Sequence, residues 1–395
     1  MPDLWDKCRE FTQAEELRQI GIYPYFRPIE SEQDTEVYID GKKYLMFGSN
    51  SYLGLTNDPR VKEAAIKAIE KYGTGNAGSR FLNGTLDIHE KLEQRLAEFT
   101  HQEDALLFST GFQSNLGAIA PVIGPKDYIL IDALDHASII DATRLAFGKT
   151  WRFKHNDMTD LEMKLKNAPE EAGKLIVVDG VFSMEGDIAK LPEIVALAKK
   201  FNNTYVYVDD AHSLGVLGKN GRGTANHFGL DTEVSLIMGT FSKSFASLGG
   251  FVAGSKNIIE YLKHRSRALI FSASMPPASV AAVDAALDIM LKEPERIERL
   301  WEITHRMLNE FKMLGYETGT AETPIIPLVI GPLEKTFELS KALSEAGVFI
   351  NPVVPPGVPE GRCLIRTSYM ANHTDEQLDY LLDTFKTFGK KLGII

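Results

Sequence analysis

The feature that most restricts what this chain can become is a rhythm between Ala105 and about Phe251. Short apolar runs (ALLFST, YILIDAL, KLIVVDG, YVYVDD, VSLIMG and GGFVAG) alternate there with stretches of helical periodicity. Strands buried on both faces read as continuous apolar runs, so this alternation predicts an α/β fold with a mainly parallel sheet flanked by helices. Sheets of that kind place their ligand crevice beyond the carboxyl ends of the strands. The residues that end each run are therefore the first to read for function.

At 395 residues the chain exceeds what one core usually fills. Three parts are expected: an N-terminal helix and hairpin segment over 1–48, a large domain over 49–290 and a small C-terminal α+β domain over 291–395. In the first, apolar residues from Leu4 to Ile20 predict one amphipathic helix packed on the body or on a second subunit, with peripheral membrane contact also open. The runs 36–39 and 44–47, joined by Asp40-Gly41-Lys42-Lys43, predict a hairpin. A helix is expected from about Pro59 to Tyr72, with proline in its first turn. In the last part the pattern gives a long helix over 295–314, apolar runs at 327–330, 348–350 and 363–366, and a final helix after Thr374.

The excess of 54 Asp and Glu over 43 Lys and Arg, a net charge of −11, argues against nucleic acid as a partner. Cys8 and Cys363 are too few for a disulfide framework, which favours a reducing cytoplasm. No signal peptide or membrane-spanning stretch is expected. The nine histidines form no H-E-x-x-H or similar pair, and no metal is expected.

One motif misleads. Gly73-x-Gly75-x-x-Gly78 has the dinucleotide spelling but follows a predicted helix, where that fingerprint requires a strand. The strand ends say more. Lys243 follows SLIMGTFS, and Asp209 ends TYVYVD. A lone lysine after a strand is ordinarily a solvated loop charge, and an Asp–Lys pair can be purely structural. Together at one crevice, the two suit pyridoxal phosphate, in which a carboxylate keeps the pyridine nitrogen protonated and a lysine holds the aldehyde as a Schiff base. Ser109-Thr110-Gly111-Phe112-Gln113 opens a helix after a strand, a ready phosphate site. His136 stands where it could stack on a flat ring, and Asp179 to Gly186 ends a fourth strand.

These motifs, TFSKS, DDAHSLG, DGVFSMEGD, STGFQSN, LDHASI and FSASMPP, occur in an order similar to that of the α-oxoamine synthases. That family is a branch of the fold-type I pyridoxal-phosphate enzymes, and the similarity runs from about Phe47 to the C-terminus. The resemblance implies that Lys243 forms the cofactor Schiff base and moves the α-proton, Asp209 binds the pyridine nitrogen and His212 the phenolic oxygen. By the same token His136 stacks on the ring and helps hold the substrate carboxylate. Gly111, Phe112 and Thr240 hold the phosphate, and Ser183 lies near the ring oxygen. Ser272 and Ser274 come from a neighbouring subunit, which implies a homodimer. Arg366 grips the substrate carboxylate, and Asn50 marks the entrance. Gly78–His89, GFVAG and Asn351–Pro356 are most similar to members that condense L-serine with a long-chain acyl-CoA. Sister members join glycine to acetyl-CoA or alanine to pimeloyl-CoA. The apolar stretch Val353–Val358 suits a long alkyl chain better than a pimeloyl carboxylate. Lys263, Arg265 and Arg267 could meet CoA phosphates or form a solvated face.

Overall fold

A computed structural model describes residues 3–395. Thirteen strands organise it: β1 (Glu36–Ile39), β2 (Lys42–Met46), β3 (Asp104–Phe108), β4 (Tyr128–Asp132), β5 (Lys149–Phe153), β6 (Lys174–Asp179), β7 (Thr204–Asp209), β8 (Leu236–Thr240), β9 (Gly250–Gly254), β10 (Ile325–Gly331), β11 (Val348–Phe349), β12 (Asn351–Val353) and β13 (Cys363–Ser368). The large sheet has the order β3-β9-β8-β7-β6-β4-β5. Only β9, the GFVAG run, is antiparallel to its neighbours; the other six strands share one direction. Their carboxyl ends therefore form a single rim.

The continuous apolar runs arise because both faces of this sheet are covered. Leu130, Ile176, Val178, Val206, Val208 and Ile237 pack with Leu161, Leu165, Ile194 and Val195 of helices Met158–Asn167 and Leu191–Lys200. Their alternates Ile129, Ile131, Val177, Tyr207 and Met238 pack on the other face with helices Gly111–Val122, Ala137–Leu145 and Lys256–Arg265. Period-two alternation thus divides one strand between two cores.

Helix Pro59–Tyr72 begins on its proline, with Asp58 accepting from the Arg60 N–H, and Glu295–Leu314 ends on Gly315 in the left-handed region. The Gly73–Gly78 segment follows the first of these helices, so it lacks the strand that a dinucleotide fingerprint needs. Toward the C-terminus β10, β13 and β12 form an antiparallel sheet, and Thr374 caps the last helix, Asp375–Lys391.

Three local expectations change. The hairpin turn is the two residues Asp40 and Gly41, at φ 49° and 68°, and not four; positive φ at both positions matches the twist of the flanking strands. β11 leaves the C-terminal sheet and pairs in parallel with β2, joining the hairpin to the C-terminal part. The N-terminal segment forms two short helices, Asp6–Arg9 and Gln13–Gln19, neither of which buries a residue. Broken after one turn, the expected stripe does not lie on one face. Leu4, Trp5, Phe11 and Ile20 are 60–69% exposed and do not pack on the body of this chain. No helix among the described residues is long and apolar enough to cross a membrane.

Candidate active site

The rim of parallel strand ends encloses a cavity of about 270 Å³. Gly111, Phe112, His136, Ser183, Asp209, His212, Thr240 and Lys243 all line it, and so do Ser138, Asp179 and Leu248. They come from the ends of β3, β4, β6, β7 and β8, which is the convergence expected at the carboxyl edge of such a sheet.

Lys243 follows β8 and Asp209 ends the adjacent strand β7. Burial lowers the Lys243 amine to about 8, against the opposing pull of Asp209 and Asp179. Near neutrality a useful fraction is then an unprotonated nucleophile. Asp209 is buried and accepts from the Ala211 N–H (3.0 Å) and the Asn115 amide (2.6 Å). Burial pushes the carboxyls of Asp179 and Asp135 up, and a neighbouring carboxylate adds to each shift. Asp179 accepts from the His136 N–H, and Asp135 accepts from the N–H groups of both Asp132 and Asp179.

Across the cavity, Thr110 caps helix Gly111–Val122 by accepting from the Gln113 N–H. The N–H groups of Gly111 and Phe112, in the first turn, have no intrahelical acceptor. Gly111 packs so closely that a β-carbon there would lie 2.5 Å from Thr240 Oγ1. The cradle therefore requires glycine and leaves backbone donors beside a hydroxyl, a fit for a phosphate. His212 is buried with Nδ1 2.6 Å from the Tyr52 hydroxyl; burial and the cations Lys243 and Arg366 hold its pKa well below the ordinary histidine value.

Arg366 is 5% exposed on β13. It donates to Ser183 O (2.7 Å), Ser368 Oγ (2.7 Å) and Asn50 Oδ1 (3.0 Å). Neither Arg366 nor Asn50 lines the cavity itself; Arg366 meets the wall through Ser183. Among the described residues it forms no ion pair with Asp or Glu, an unusual state for a buried guanidinium and one that an anionic ligand would relieve. Ser272 and Ser274 stand apart from the cavity, beside Arg80 and His89. Ser272 accepts from Gln113, and Ser274 donates to Gly84 O. Lys263 pairs with Asp104, and Arg267 lies over Phe271.

Sequence reasoning missed Asn115, Tyr207 and Tyr52. The signal for Asn115 was present: it follows Gly111 by four residues on one helix, which puts both on the same face.

The strand order and the lysine–carboxylate cavity define an α/β transferase with the fold-type I pyridoxal-phosphate architecture. Residues 42–385 match the model of the aminotransferase class I and II family, and the chain belongs to that family. Within it, the chain is 58% identical to a serine palmitoyltransferase of Sphingobacterium spiritivorum, over 99% of this chain and 98% of that one. A solved serine palmitoyltransferase with a PLP internal aldimine superposes with a TM-score of 0.96 at 37% identity, covering 100% of both chains. An 8-amino-7-oxononanoate synthase of Symbiobacterium thermophilum is 48% identical over 96% of this chain and 97% of its own.

Proposed function

We propose that this protein is a pyridoxal-phosphate-dependent acyltransferase that condenses L-serine with palmitoyl-CoA or a similar long-chain acyl-CoA. The products are 3-ketodihydrosphingosine, CoA and carbon dioxide, the entry step of sphingoid-base synthesis. The observation that carries the reading is the presence of both Lys243 and Asp209 in one cavity, beside a buried Arg366 that has no carboxylate partner among the described residues. The choice of serine and a long acyl chain is supported by the 58% identity to a serine palmitoyltransferase, against 48% to an 8-amino-7-oxononanoate synthase.

Bound pyridoxal phosphate supplies an aldehyde for a Schiff base and a ring that accepts electrons from bonds breaking at the substrate α-carbon. Lys243 would hold that aldehyde, Asp209 the pyridine nitrogen and His212 the phenolic oxygen, near Ser183. The N–H groups of Gly111 and Phe112 and the Thr240 hydroxyl would hold the phosphate. Arg366, aligned by Asn50 and Ser368, receives the serine carboxylate together with His136 and so fixes which α-carbon bond is presented for cleavage. Displaced from the aldehyde by the serine amine, the freed Lys243 takes the α-proton at Nζ. The α-carbon then joins the acyl carbonyl carbon while the thioester C–S bond breaks and CoA leaves. The bond from the α-carbon to its carboxylate breaks next, carbon dioxide departs, and a proton returns to the same carbon.

The working enzyme is a cytoplasmic homodimer in which Ser272 and Ser274 serve the partner's cavity. Their position away from Lys243 within one chain supports this arrangement. Its functional parts are 1–48, 49–290 and 291–395. One competition tests the substrates: equal serine, glycine and alanine are offered with equal acetyl-, pimeloyl- and palmitoyl-CoA, and products are read by mass. The serine–palmitoyl aminoketone should dominate; dominance of another pair would move the chain to a sister activity.

A further inference from the structure

His136 is the N-cap of helix Ala137–Leu145, and what approaches its Nδ1 consists of donors. The Ser138 N–H lies 3.2 Å from Nδ1, and the Ser138 Oγ lies 2.7 Å from it. A backbone N–H can only donate, and with the Ser138 hydroxyl donating beside it Nδ1 presents its lone pair and carries no proton. In the neutral ring the hydrogen must then sit on Nε2. That nitrogen has no hydrogen-bond partner among the described residues, on a ring that lines the cavity.

The Ser138 hydroxyl is committed in the same direction. Asn115 Nδ2 donates both to Ser138 Oγ (2.8 Å) and to Asp209 Oδ2 (2.6 Å). The orientation of this amide is settled at both ends: the Asp209 carboxylate can only accept, and the Tyr207 hydroxyl donates to Asn115 Oδ1 (2.7 Å). With Ser138 Oγ already accepting, its one hydrogen is free for His136. Ser138, Asn115, Tyr207 and Asp209 are all at most 2% exposed, so bulk water offers no alternative partner.

We propose that Tyr207, Asn115 and Ser138 form a one-way hydrogen-bond chain that locks His136 as the neutral Nε2–H tautomer. His136 is thereby an obligate donor toward a carboxylate oxygen in the cavity and is barred from acting as a general base. Asn115 and Ser138 are positioning residues, and one amide sets both the ring of His136 and the carboxylate of Asp209. Burial and the nearby Lys243 cation, which lower the His136 pKa against the pull of Asp209, agree with a neutral ring. Proton transfer at the α-carbon is left to Lys243. The identity of the carboxylate rests on the proposed function; the tautomer does not.

The test separates the two. Protein labelled with 15N-histidine and free of cofactor is read by two-bond 1H–15N correlation, with His136 assigned through His136→Gln. A neutral Nε2–H pattern is expected; an Nδ1–H pattern or an imidazolium at about pH 7.5, well above the ordinary histidine pKa, overturns the proposal. Ser138→Ala removes one of the two donors. It should give a mixture of tautomers and raise the KM for serine roughly fivefold to tenfold, as expected for one lost hydrogen bond, with a smaller change in kcat. Ser138→Thr, which keeps the hydroxyl, should restore both. Unchanged tautomer and KM in Ser138→Ala would overturn the role of the chain. If another amino acid proves to be the substrate while the Nε2–H pattern stands, the proposed function fails and the tautomer survives.

Discussion

His136 follows β4 and His155 follows β5, the next strand of the sheet, yet the two rings meet opposite surroundings. At His136, Nδ1 faces donors. At His155, Nδ1 lies 3.0 Å from Asp132 Oδ1 and Nε2 lies 2.9 Å from Asp187 Oδ2, so both nitrogens face carboxylates and both carry protons. Burial lowers the pKa of each ring. For His155 the hydrogen bonds to Asp132 and Asp187 outweigh burial and push it to about 10. Partner chemistry, more than depth, decides which histidine is charged. Among the described residues, one region leaves Nε2 of His136 without a hydrogen-bond partner at the cavity wall. The other is internally paired and clasps the 180–188 loop, with Phe182 edge-on to the ring and Thr320 donating to Asp187.

If that division is real, substitutions in the two regions should separate activity from stability. Lys243→Ala should produce the largest effect. Turnover falls by about 10²–10⁴-fold, the range for removing a proton-transfer group, while the melting temperature holds, because Lys243 lines the cavity and its amine makes no hydrogen bond or ion pair among the described residues. Product formation by mass, set beside a thermal melt of the same sample, checks both halves. Retained turnover would remove Lys243 from the chemistry; a collapsed melt would show that the cavity also carries stability.

The converse change is His155→Leu. It leaves Asp132 and Asp187 buried without their cation and should cost about 3–5 kcal/mol of stability in urea unfolding. The folded pKa of about 10 stands above the unfolded value of about 6.5. The stability His155 supplies is therefore complete below about pH 6.5 and is lost as pH rises through about 10. Burial also pushes the Glu185 carboxyl up, against the opposing pull of His155. Melts at about pH 6, 8 and 10 should fall in the wild type and flatten across that alkaline window in His155→Gln. Equal slopes in both proteins would mean that another group dominates.

Much of this was legible in the sequence because the physics was local. Runs such as KLIVVD and YVYVD announced themselves because both sheet faces are buried, and helices 59–72 and 295–314 carried proline and glycine boundary marks. The cavity residues could be gathered because each ends a parallel strand. What escaped depended on distant partners. Nothing in GFVAG fixes its antiparallel direction, and the pairing of Val348 with Leu45 joins segments too far apart for periodicity to connect. Helix spacing places Asn115 on the face of Gly111, but its role, like that of His155, was hidden for the same reason. Each follows from what stands opposite it, Asp209 and Tyr207 for one and Asp132 and Asp187 for the other, and no spacing rule encodes those encounters.

Arg366 is where the two regions touch. Its Nε donates to Ser183 O, on the loop that His155 clasps through Asp187, whereas its Nη2 donates to Asn50 on the opposite side. Asn50→Ala removes one acceptor, and His155→Gln loosens the segment that carries another. If the clasp reaches the site through Ser183, the two changes should not add. Once one anchor is lost, Arg366 depends more heavily on what remains, and the double variant should lose serine affinity beyond the sum of the singles by about 0.5–1 kcal/mol. A double-mutant cycle on the KM for serine, at fixed acyl-CoA, measures that coupling. Additivity within about 0.3–0.5 kcal/mol would make the clasp a device of stability alone, with the loop held in place by its other contacts, Gly186 to Thr323 and Ile188 to Glu322.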